Sequence, residues 1–340
     1  MSEKRQSGIE LLRIIAMFMI LAQHANGLGI GLPGAYECNV EPVNSFFRLL
    51  IQCFVFVGVD VFVLISGWFG INFKVKRLGE YLFQCLFFSL VVTLVLWLVC
   101  GRPEMGIKSW VGVVLLGKSY WFVKSYLLLY VLSPVLNRFI DTVDKKEAGL
   151  VLGLFLAIML VFGWTDAMPE FNFGSSCISF IGLYLFARYL RKYCQKICSK
   201  PIWQYIAGYF LPLILLAVTC FVLYRVNAPT EISRCIFSFV NPLVIIGAVS
   251  LVLMFSRMDF ASAFVNKVAK SSFSVYLFHC GPVIWGLFLT VCGSIYQKYH
   301  GVGMISLMLA FLIAVFAVAC IIDQLRLYCS SLIFERDRNE

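Results

Sequence analysis

The chain has 340 residues, of which 61% are hydrophobic and only 14% are charged, and its formal net charge is +10. Soluble chains are roughly 45–50% apolar and about 25% charged, so the composition excludes an ordinary soluble enzyme, a secreted disulfide scaffold and a disordered protein. It predicts one compact bundle of membrane-spanning helices without a separate soluble domain.

Apolar stretches of spanning length follow one another along the whole chain. A spanning helix needs roughly 20 mainly apolar residues, and about ten stretches meet this requirement. They are residues 9–29, 46–70, 80–100, 120–138, 148–165, 175–191, 202–224, 233–255, 271–293 and 303–325. The sequence therefore predicts an all-α polytopic membrane protein, in which residues 1–340 form a single transmembrane domain.

Lysine and arginine predict the orientation of this bundle, because short cytoplasmic loops carry an excess of them. If the N-terminus lies in the cytoplasm, most basic residues fall in inner segments, among them Lys4, the loop Lys74–Arg77 and Arg326. We therefore expect both termini inside and an uncleaved first helix, since Arg13 interrupts the run that a signal peptide would require. Topology explains the positive charge, so no nucleic-acid partner is expected.

Cysteine usage points to packing rather than to chemistry. The 13 cysteines lie mostly within apolar runs and form no CxxC pair, so neither a zinc ribbon nor a thioredoxin-like motif is indicated. In a bilayer a free cysteine behaves as a small hydrophobe. No metal site is expected from the sequence.

Arg13 and His24 are ionisable residues within the first span. Eleven residues advance a helix by three turns plus about 20°, so both side chains share one face, about 16 Å apart along the axis. Gln23 and Asn26 adjoin the histidine. The alternatives are an arginine that snorkels to the inner interface and a histidine that bonds a neighbouring helix for packing alone.

Other candidates within or beside spans are polar residues for which burial is costly. They are Asp60 and Ser66 in the second span, Lys74, Lys76 and Arg77 in the following loop, Trp121 and Lys124 in the fourth span, and Tyr276 and His279 in the ninth. Topology alone explains the loop cations, and an interfacial belt explains Trp121 and Lys124. Asp60 is harder to explain, because a carboxylate at mid-depth needs a partner or a proton.

These residues resemble the pattern of the membrane-bound acyltransferase-3 family. Arg13 and His24 have the spacing R-x10-H of its signature, and Phe62–Gly67 resembles its F-F-x-x-S-G element with Val63 for the second phenylalanine. Lys74 and Arg77 stand where the family has R-x-x-R. Lysine keeps the charge at residue 74 but lacks the planar fork of arginine. Tyr120-Trp121-Phe122 and Tyr276-Leu277-Phe278-His279 also look familial.

The resemblance implies an acyltransferase of the bacterial cytoplasmic (inner) membrane. Its donor would be a cytoplasmic acyl-CoA, most often acetyl-CoA, and its acceptor a hydroxyl of a cell-surface or lipid-linked polysaccharide. Besides membrane lipid, its partners would be glycan-assembly proteins or a second copy of the chain. The runner-up activities are acylation of a small molecule and, on physical grounds alone, a secondary transporter or flippase that uses the intramembrane His, Asp and Arg.

The candidate residues divide into three roles. A hydroxyl needs a positioned base, which histidine provides best. The expected catalytic residues are therefore His24, which takes the acceptor proton, Asp60, which orients its ring, and Arg13, which also belongs to the donor site. An acyl-histidine intermediate is the alternative. Arg13, Ser66, Lys74, Lys76 and Arg77 are expected to bind the acyl-CoA, whose phosphates favour cations, and Trp121, Lys124, Tyr276 and His279 to bind the acceptor.

Overall fold

The computed structural model of the chain describes residues 6–99, 101, 106–117, 120–165, 168–229 and 235–334, apart from the side chain of Ser109. All the regular elements within these ranges are helices. Lys4, Cys100 and the first two residues of the predicted span 233–255 lie outside the described residues.

The helices follow the order of the predicted spans. They are α1 (Ser7–His24), α2 (Ala35–Val40), α3 (Pro42–Phe56), α4 (Gly58–Phe69), α5 (Val75–Leu86), α6 (Thr93–Val99), α7 (Ile107–Val114), α8 (Trp121–Thr142), α9 (Lys145–Ile158), α10 (Cys177–Tyr193), α11 (Gln195–Cys198), α12 (Ile202–Arg225), α13 (Pro242–Ser256), α14 (Ala263–Lys270), α15 (Ser272–His279), α16 (Ile284–Lys298) and α17 (Gly301–Phe334). The π-helical segments Ala25–Gly31, Phe87–Val92 and Met159–Thr165 continue α1, α5 and α9, and Asn172–Gly174 forms a 3₁₀ turn.

Length and apolarity separate these helices into two groups. In the described part of the chain, six helical stretches are long and apolar enough to cross a membrane, and a seventh results if Ala263–His279 and Ile284–Lys298, bent by 88°, count as one span. The predicted spans in α8, α10 and α13 are helical but are not among these. The all-α polytopic membrane fold is thus confirmed, whereas the number of ten spans and the inward termini stay predictions.

Helix α1 occupies the centre of the bundle. It packs against α3, α4, α13, α14 and α15, and Leu12, Ala16 and Leu21 are completely buried along it. Small residues permit close packing between membrane helices: a Cβ on Gly58 of α4 would lie 2.8 Å from the carbonyl oxygen of Ala16. The polar residues of α1 are therefore enclosed by other helices.

The outer surface of the bundle is apolar. On α17, for example, Ile305, Ile313, Ile321 and Leu325 are exposed. An exposed apolar surface of this extent would promote aggregation in water, but hydrocarbon tails solvate it. The exposed side chains are therefore those expected of a lipid-facing surface.

A buried ion pair within α17 is linked to α15 by a hydrogen bond from Ser274. Arg326 bonds both carboxylate oxygens of Asp323, at 2.9 and 3.0 Å, and Ser274 Oγ donates to the same carboxylate at 2.5 Å. Gln84 Nε2 of α5 donates in turn to Ser274 Oγ at 2.7 Å. Arg326 was predicted to lie in the inner C-terminal segment, but it is buried because α17 continues beyond the predicted span end.

Gly67 provides a test of the close packing between α4 and α10. A Cβ on Gly67 would collide with the Tyr184 carbonyl oxygen and lie 2.9 Å from Ala187 Cβ. Because neither backbone can yield easily, we expect Gly67→Ala to lower the free energy of unfolding by about 1–3 kcal/mol. Thermal unfolding in detergent measures the loss.

Gly153→Ala is the matched control, since a Cβ there meets open space. This variant is expected to be as stable as the parent or slightly more stable, because alanine favours a helix. Equal stability of the two variants would contradict the close contact between α4 and α10.

Candidate active site

His24 stands where α1 changes from an α-helix to the π-helical segment Ala25–Gly31. Such π-helical turns are uncommon and frequently mark functional sites. Glycines allow this segment to approach its neighbours: a Cβ on Gly29 would lie 2.6 Å from Cys292 Cβ of α16. The segment therefore holds the end of α1 tightly against α16.

A cavity of about 330 Å³ opens beside His24. We call it the His24 cavity. Its walls are mainly apolar and rich in aromatic rings, and Gln23, Gln52, Ser175 and Tyr276 are the polar residues that line it besides His24. In the described chain no Asp, Glu, Lys or Arg lines it. The amide oxygen of Gln23 is buried without a hydrogen-bond partner, so it is suited to accept a bond from a bound hydroxyl.

A second cavity, of about 460 Å³, surrounds Arg13. We call it the Arg13 cavity. Its polar lining comes from Glu10, Arg13, Ser66, Gln84 and Lys270, among others. The Nε of Arg13 is buried with no hydrogen-bond partner. This cavity is therefore the more polar of the two, and with two cations against the single carboxylate of Glu10 it suits an anionic ligand.

Three phenylalanines line both cavities and separate them. Phe62, Phe122 and Phe273 belong to the walls of each, with ring centroids 6.5 Å apart between Phe62 and Phe122 and 6.2 Å between Phe122 and Phe273. We call this set the phenylalanine wall. Because the same three rings line both cavities, we expect rotation of these rings to connect the two.

A hydrogen bond to a second histidine fixes the tautomer of His24. His279 Nδ1 lies 2.6 Å from the Val275 carbonyl oxygen, which only accepts, so this nitrogen carries the proton. The Nε2 of a neutral His279 ring then accepts from His24 Nδ1, 2.9 Å away. The remaining lone pair of His24 lies on Nε2, and this nitrogen forms no hydrogen bond with any described residue.

A break in the helical backbone brings His279 to this position. Helix α15 ends at His279, and the chain turns by 88° before α16 begins at Ile284. A broken helix frees carbonyl groups, which need partners in a membrane. The Tyr120 hydroxyl donates to the Leu277 carbonyl at 2.8 Å, so the break is stabilised by a buried tyrosine.

Arg13 and Ser66, both predicted to bind the donor, lie together in the Arg13 cavity. Ser66 Oγ donates to the Phe62 carbonyl at 3.0 Å and lies 3.0 Å from the Tyr126 hydroxyl. Because the serine proton is already used, Tyr126 donates to Ser66 and only a lone pair of Ser66 remains for a ligand.

The loop cations lie outside both cavities. Lys74, Lys76 and Arg77 are exposed around the first turn of α5, and Lys76 Nζ donates to the Phe334 carbonyl. Tyr81 of the same helix lines the Arg13 cavity. Lys270 also lines this cavity; the sequence does not predict this position, because spacing does not show which helix ends converge.

Only two of the four residues predicted to bind the acceptor line the His24 cavity. Trp121 and Tyr276 line the His24 cavity. Lys124 is exposed and lines neither cavity, so its assignment is not supported and its charge is free to snorkel. His279 is completely buried and does not line the His24 cavity. It bonds to His24 and positions this ring. Its predicted role in substrate binding is therefore corrected to a positioning role.

Asp60 does not orient His24 in this structure. Its side chain is completely buried in α4, and neither carboxylate oxygen has a hydrogen-bond partner. The residue that bonds to the His24 ring is His279, and not Asp60 as predicted. The prediction failed because the depth of a residue in a span does not reveal which neighbour its face meets.

Cys280 is a further neighbour of the histidine pair. Its Sγ lies 3.5 Å from His279 Nε2 and 4.0 Å from His24 Nδ1. No spacing signal in the sequence links this thiol to His24, since the two residues are 256 positions apart.

Comparison with known proteins identifies a family for this chain. The acyltransferase-3 family model, described as an acyltransferase domain, matches residues 6–324. The chain belongs to the acyltransferase-3 family. No curated protein and no solved structure gives a significant match. Family membership supports membrane acyltransferase activity over the transporter alternative.

Selective ¹⁵N labelling of histidine tests the tautomer of His24. The chain contains only three histidines, and His300 is exposed, which makes assignment by single substitutions practical. We expect His24 and His279 both to carry their proton on Nδ1. In His279→Gln the amide oxygen still accepts from His24 and the tautomer persists, whereas in His279→Leu it is lost. An Nε2-protonated His24 in the parent protein would contradict the proposed geometry.

Proposed function

We propose that this protein is a membrane O-acyltransferase that moves an acyl group, most often acetyl, from a cytoplasmic acyl-CoA to a hydroxyl of a saccharide. His24 acts as the general base. One observation carries the proposal: a histidine with an available Nε2 lone pair lines a cavity that shares the phenylalanine wall with a second cavity, which Arg13 and Lys270 line.

The chemistry at His24 balances without a further group. His24 Nε2 takes the proton of the acceptor hydroxyl as its oxygen attacks the thioester carbonyl carbon. The carbon–sulfur bond then breaks, and the imidazolium returns the proton to the leaving thiolate of CoA. The bond from His24 Nδ1 to His279 Nε2 orients the ring and stabilises the transient positive charge, as the third group of a triad does.

Direct transfer is favoured over an acyl-histidine intermediate. The two cavities lie on opposite sides of one layer of rings, so donor and acceptor have separate places and can be bound together. A ternary complex brings the hydroxyl and the thioester to His24 at the same time.

Positively charged side chains support binding of the acyl-CoA donor at the Arg13 cavity. Arg13 and Lys270 line the Arg13 cavity, and phosphate groups bind cations of this kind. Lys76 precedes Tyr81 by five residues on α5, about 8 Å along the helix, so Lys74, Lys76 and Arg77 stand close to the cavity. We propose that these exposed cations bind the nucleotide phosphates while the acyl arm enters the Arg13 cavity.

The acceptor side is supported by polarity. The His24 cavity offers Trp121 and Tyr276 as ring surfaces and Gln23 and Gln52 as amides, with no described charged side chain. Aromatic faces and amides suit an uncharged saccharide, whose ring stacks and whose hydroxyls bond. The volume of about 330 Å³ lies at the small end of ligand pockets, so one sugar unit of a polysaccharide or lipid-linked glycan would enter.

The proposed setting is the cytoplasmic membrane of a bacterium, with both termini inside. In this orientation the Arg13 end of α1 faces the cytoplasm, where acyl-CoA is found, and the His24 cavity lies deeper towards the outer side. Glycan-assembly proteins or a second copy of the chain are the proposed partners.

Acyl transfer by the purified protein tests the function directly. With radiolabelled acetyl-CoA and a panel of polysaccharide, lipid-linked and small saccharide acceptors, we expect label to appear as an ester and free CoA to form in equal amount. His24→Ala should lower kcat by about 10²–10⁴-fold, the usual contribution of a general base, while the protein still expresses and unfolds in a cooperative thermal transition.

His300→Ala is the matched control, because His300 is exposed and lines neither cavity, and it should retain full activity. The proposed base is wrong if His24→Ala keeps most of the activity. Failure to label any hydroxyl, or labelling of an amine instead, would reject O-acyl transfer.

The cationic cavity predicts a separate effect on the donor. Arg13→Gln removes a charge-assisted bond to phosphate or carbonyl oxygen, so KM for acetyl-CoA should rise about tenfold or more. Lys124→Gln removes an exposed cation of the neighbouring surface and should leave KM unchanged. Initial-rate kinetics against acetyl-CoA, at saturating acceptor, distinguish the two; equal KM values in both variants would remove Arg13 from the donor site.

A further inference from the structure

Three potential metal-ligand atoms converge beside the base. His24 Nδ1, His279 Nε2 and Cys280 Sγ lie within 4.8 Å of one another, at separations of 2.9, 3.5 and 4.0 Å. Cys280 is 3% exposed and forms no disulfide. Neither the family pattern nor the proposed transfer reaction uses this thiol.

The separations suit a tetrahedral divalent cation. Zinc binds histidine nitrogen at about 2.0–2.1 Å and cysteine sulfur at about 2.3 Å, commonly with three protein ligands and an open fourth position. At tetrahedral angles, ligand atoms at these distances stand roughly 3.3–3.6 Å apart. Each observed separation lies within about half an ångström of that range, so small side-chain rotations suffice.

One ligand is already oriented for a metal. The bond from His279 Nδ1 to the Val275 carbonyl, at 2.6 Å, keeps the proton on Nδ1 and leaves the Nε2 lone pair free to coordinate. A metal-bound histidine is usually held in this way, by a bond from its other nitrogen to a carbonyl or carboxylate.

We propose that His24, His279 and Cys280 form a binding site for Zn²⁺ or a similar thiophilic divalent cation, and that its occupation switches the enzyme off. Binding replaces the hydrogen bond between the two histidines by two metal–nitrogen bonds. Cys280 releases its thiol proton. The Nδ1 proton of His24 is replaced by the metal and one proton is taken up at Nε2, so one proton is released overall.

Inhibition follows from the change of tautomer. Once Nδ1 is coordinated, the proton of His24 resides on Nε2, and the lone pair that would accept the hydroxyl proton no longer exists. The metal therefore blocks the base without occupying either substrate cavity. This inhibitory effect rests on the proposed function, whereas binding of the metal does not.

Cobalt substitution tests the binding by itself. Co²⁺ added to the purified full chain should give one equivalent of a tetrahedral complex with a thiolate-to-cobalt charge-transfer band, and added Zn²⁺ should abolish the band. Cys280→Ser and Cys280→Ala should both lack this band. Cys220→Ser, which alters another buried thiol on α12, should retain it.

Zinc titration of acyl transfer tests the consequence. Zn²⁺ should inhibit the parent and Cys220→Ser, a chelator should restore activity, and Cys280→Ser should need at least about tenfold more Zn²⁺ for half-inhibition. Without metal, Cys280→Ser should be as active as the parent, since the thiol takes no part in transfer.

The outcomes separate the two proposals. A folded parent protein without a cobalt–thiolate band, or a band that persists in both Cys280 variants, overturns the metal site. A Cys280-dependent band together with transfer activity that zinc does not affect leaves the metal site standing but overturns His24 as the base and, with it, the inhibition.

Discussion

The hydrogen bond between His24 and His279 is the contact on which the arrangement of the candidate active site depends. Polar groups buried within a membrane need partners, and each ring here meets that need through the other. The bond also joins α1 to the broken end of α15, two segments 255 residues apart in the chain. Since the Val275 carbonyl fixes His279, the bond leaves His24 with one defined lone pair beside a cavity.

The phenylalanine wall reconciles a shared reaction centre with an intact membrane barrier. A continuous polar path across the bilayer would admit ions, whereas Phe62, Phe122 and Phe273 interrupt it with one apolar layer. Passage between such rings costs an uncharged acyl arm little dehydration free energy. An ion would have to lose its hydration shell, which costs far more free energy. The proposed donor can thus reach His24 from the Arg13 side without opening the wall to charge.

Residues on a single helix were the ones that the sequence predicted well. Periodicity alone placed Arg13, Gln23 and His24 along α1, and each lines one of the two cavities. Apolar length predicted where the helices lie, and the acyltransferase-3 resemblance is confirmed by the family match. These features depend on local geometry, which a sequence displays directly.

The sequence does not show which residues of distant helices contact one another. Asp60 was the expected partner of His24, yet it lies unpaired within α4, and the partner is His279. Lys270, Gln52 and Cys280 reach the site only because α14, α3 and the break after α15 pack around α1. Lys124 shows the reverse: its helix contributes Trp121 and Phe122 to the His24 cavity, but its own position faces outward.

A structure of the protein with a non-transferable acyl-CoA analogue, in which a methylene group replaces the thioester sulfur, tests the central claim most directly. We predict that the analogue's carbonyl carbon lies beside His24 Nε2. Its arm should pass through the displaced phenylalanine wall, and its phosphates should lie near Arg13, Lys270 and the start of α5. A carbonyl held in the Arg13 cavity behind a closed wall, or bound at another place in the bundle, would contradict it.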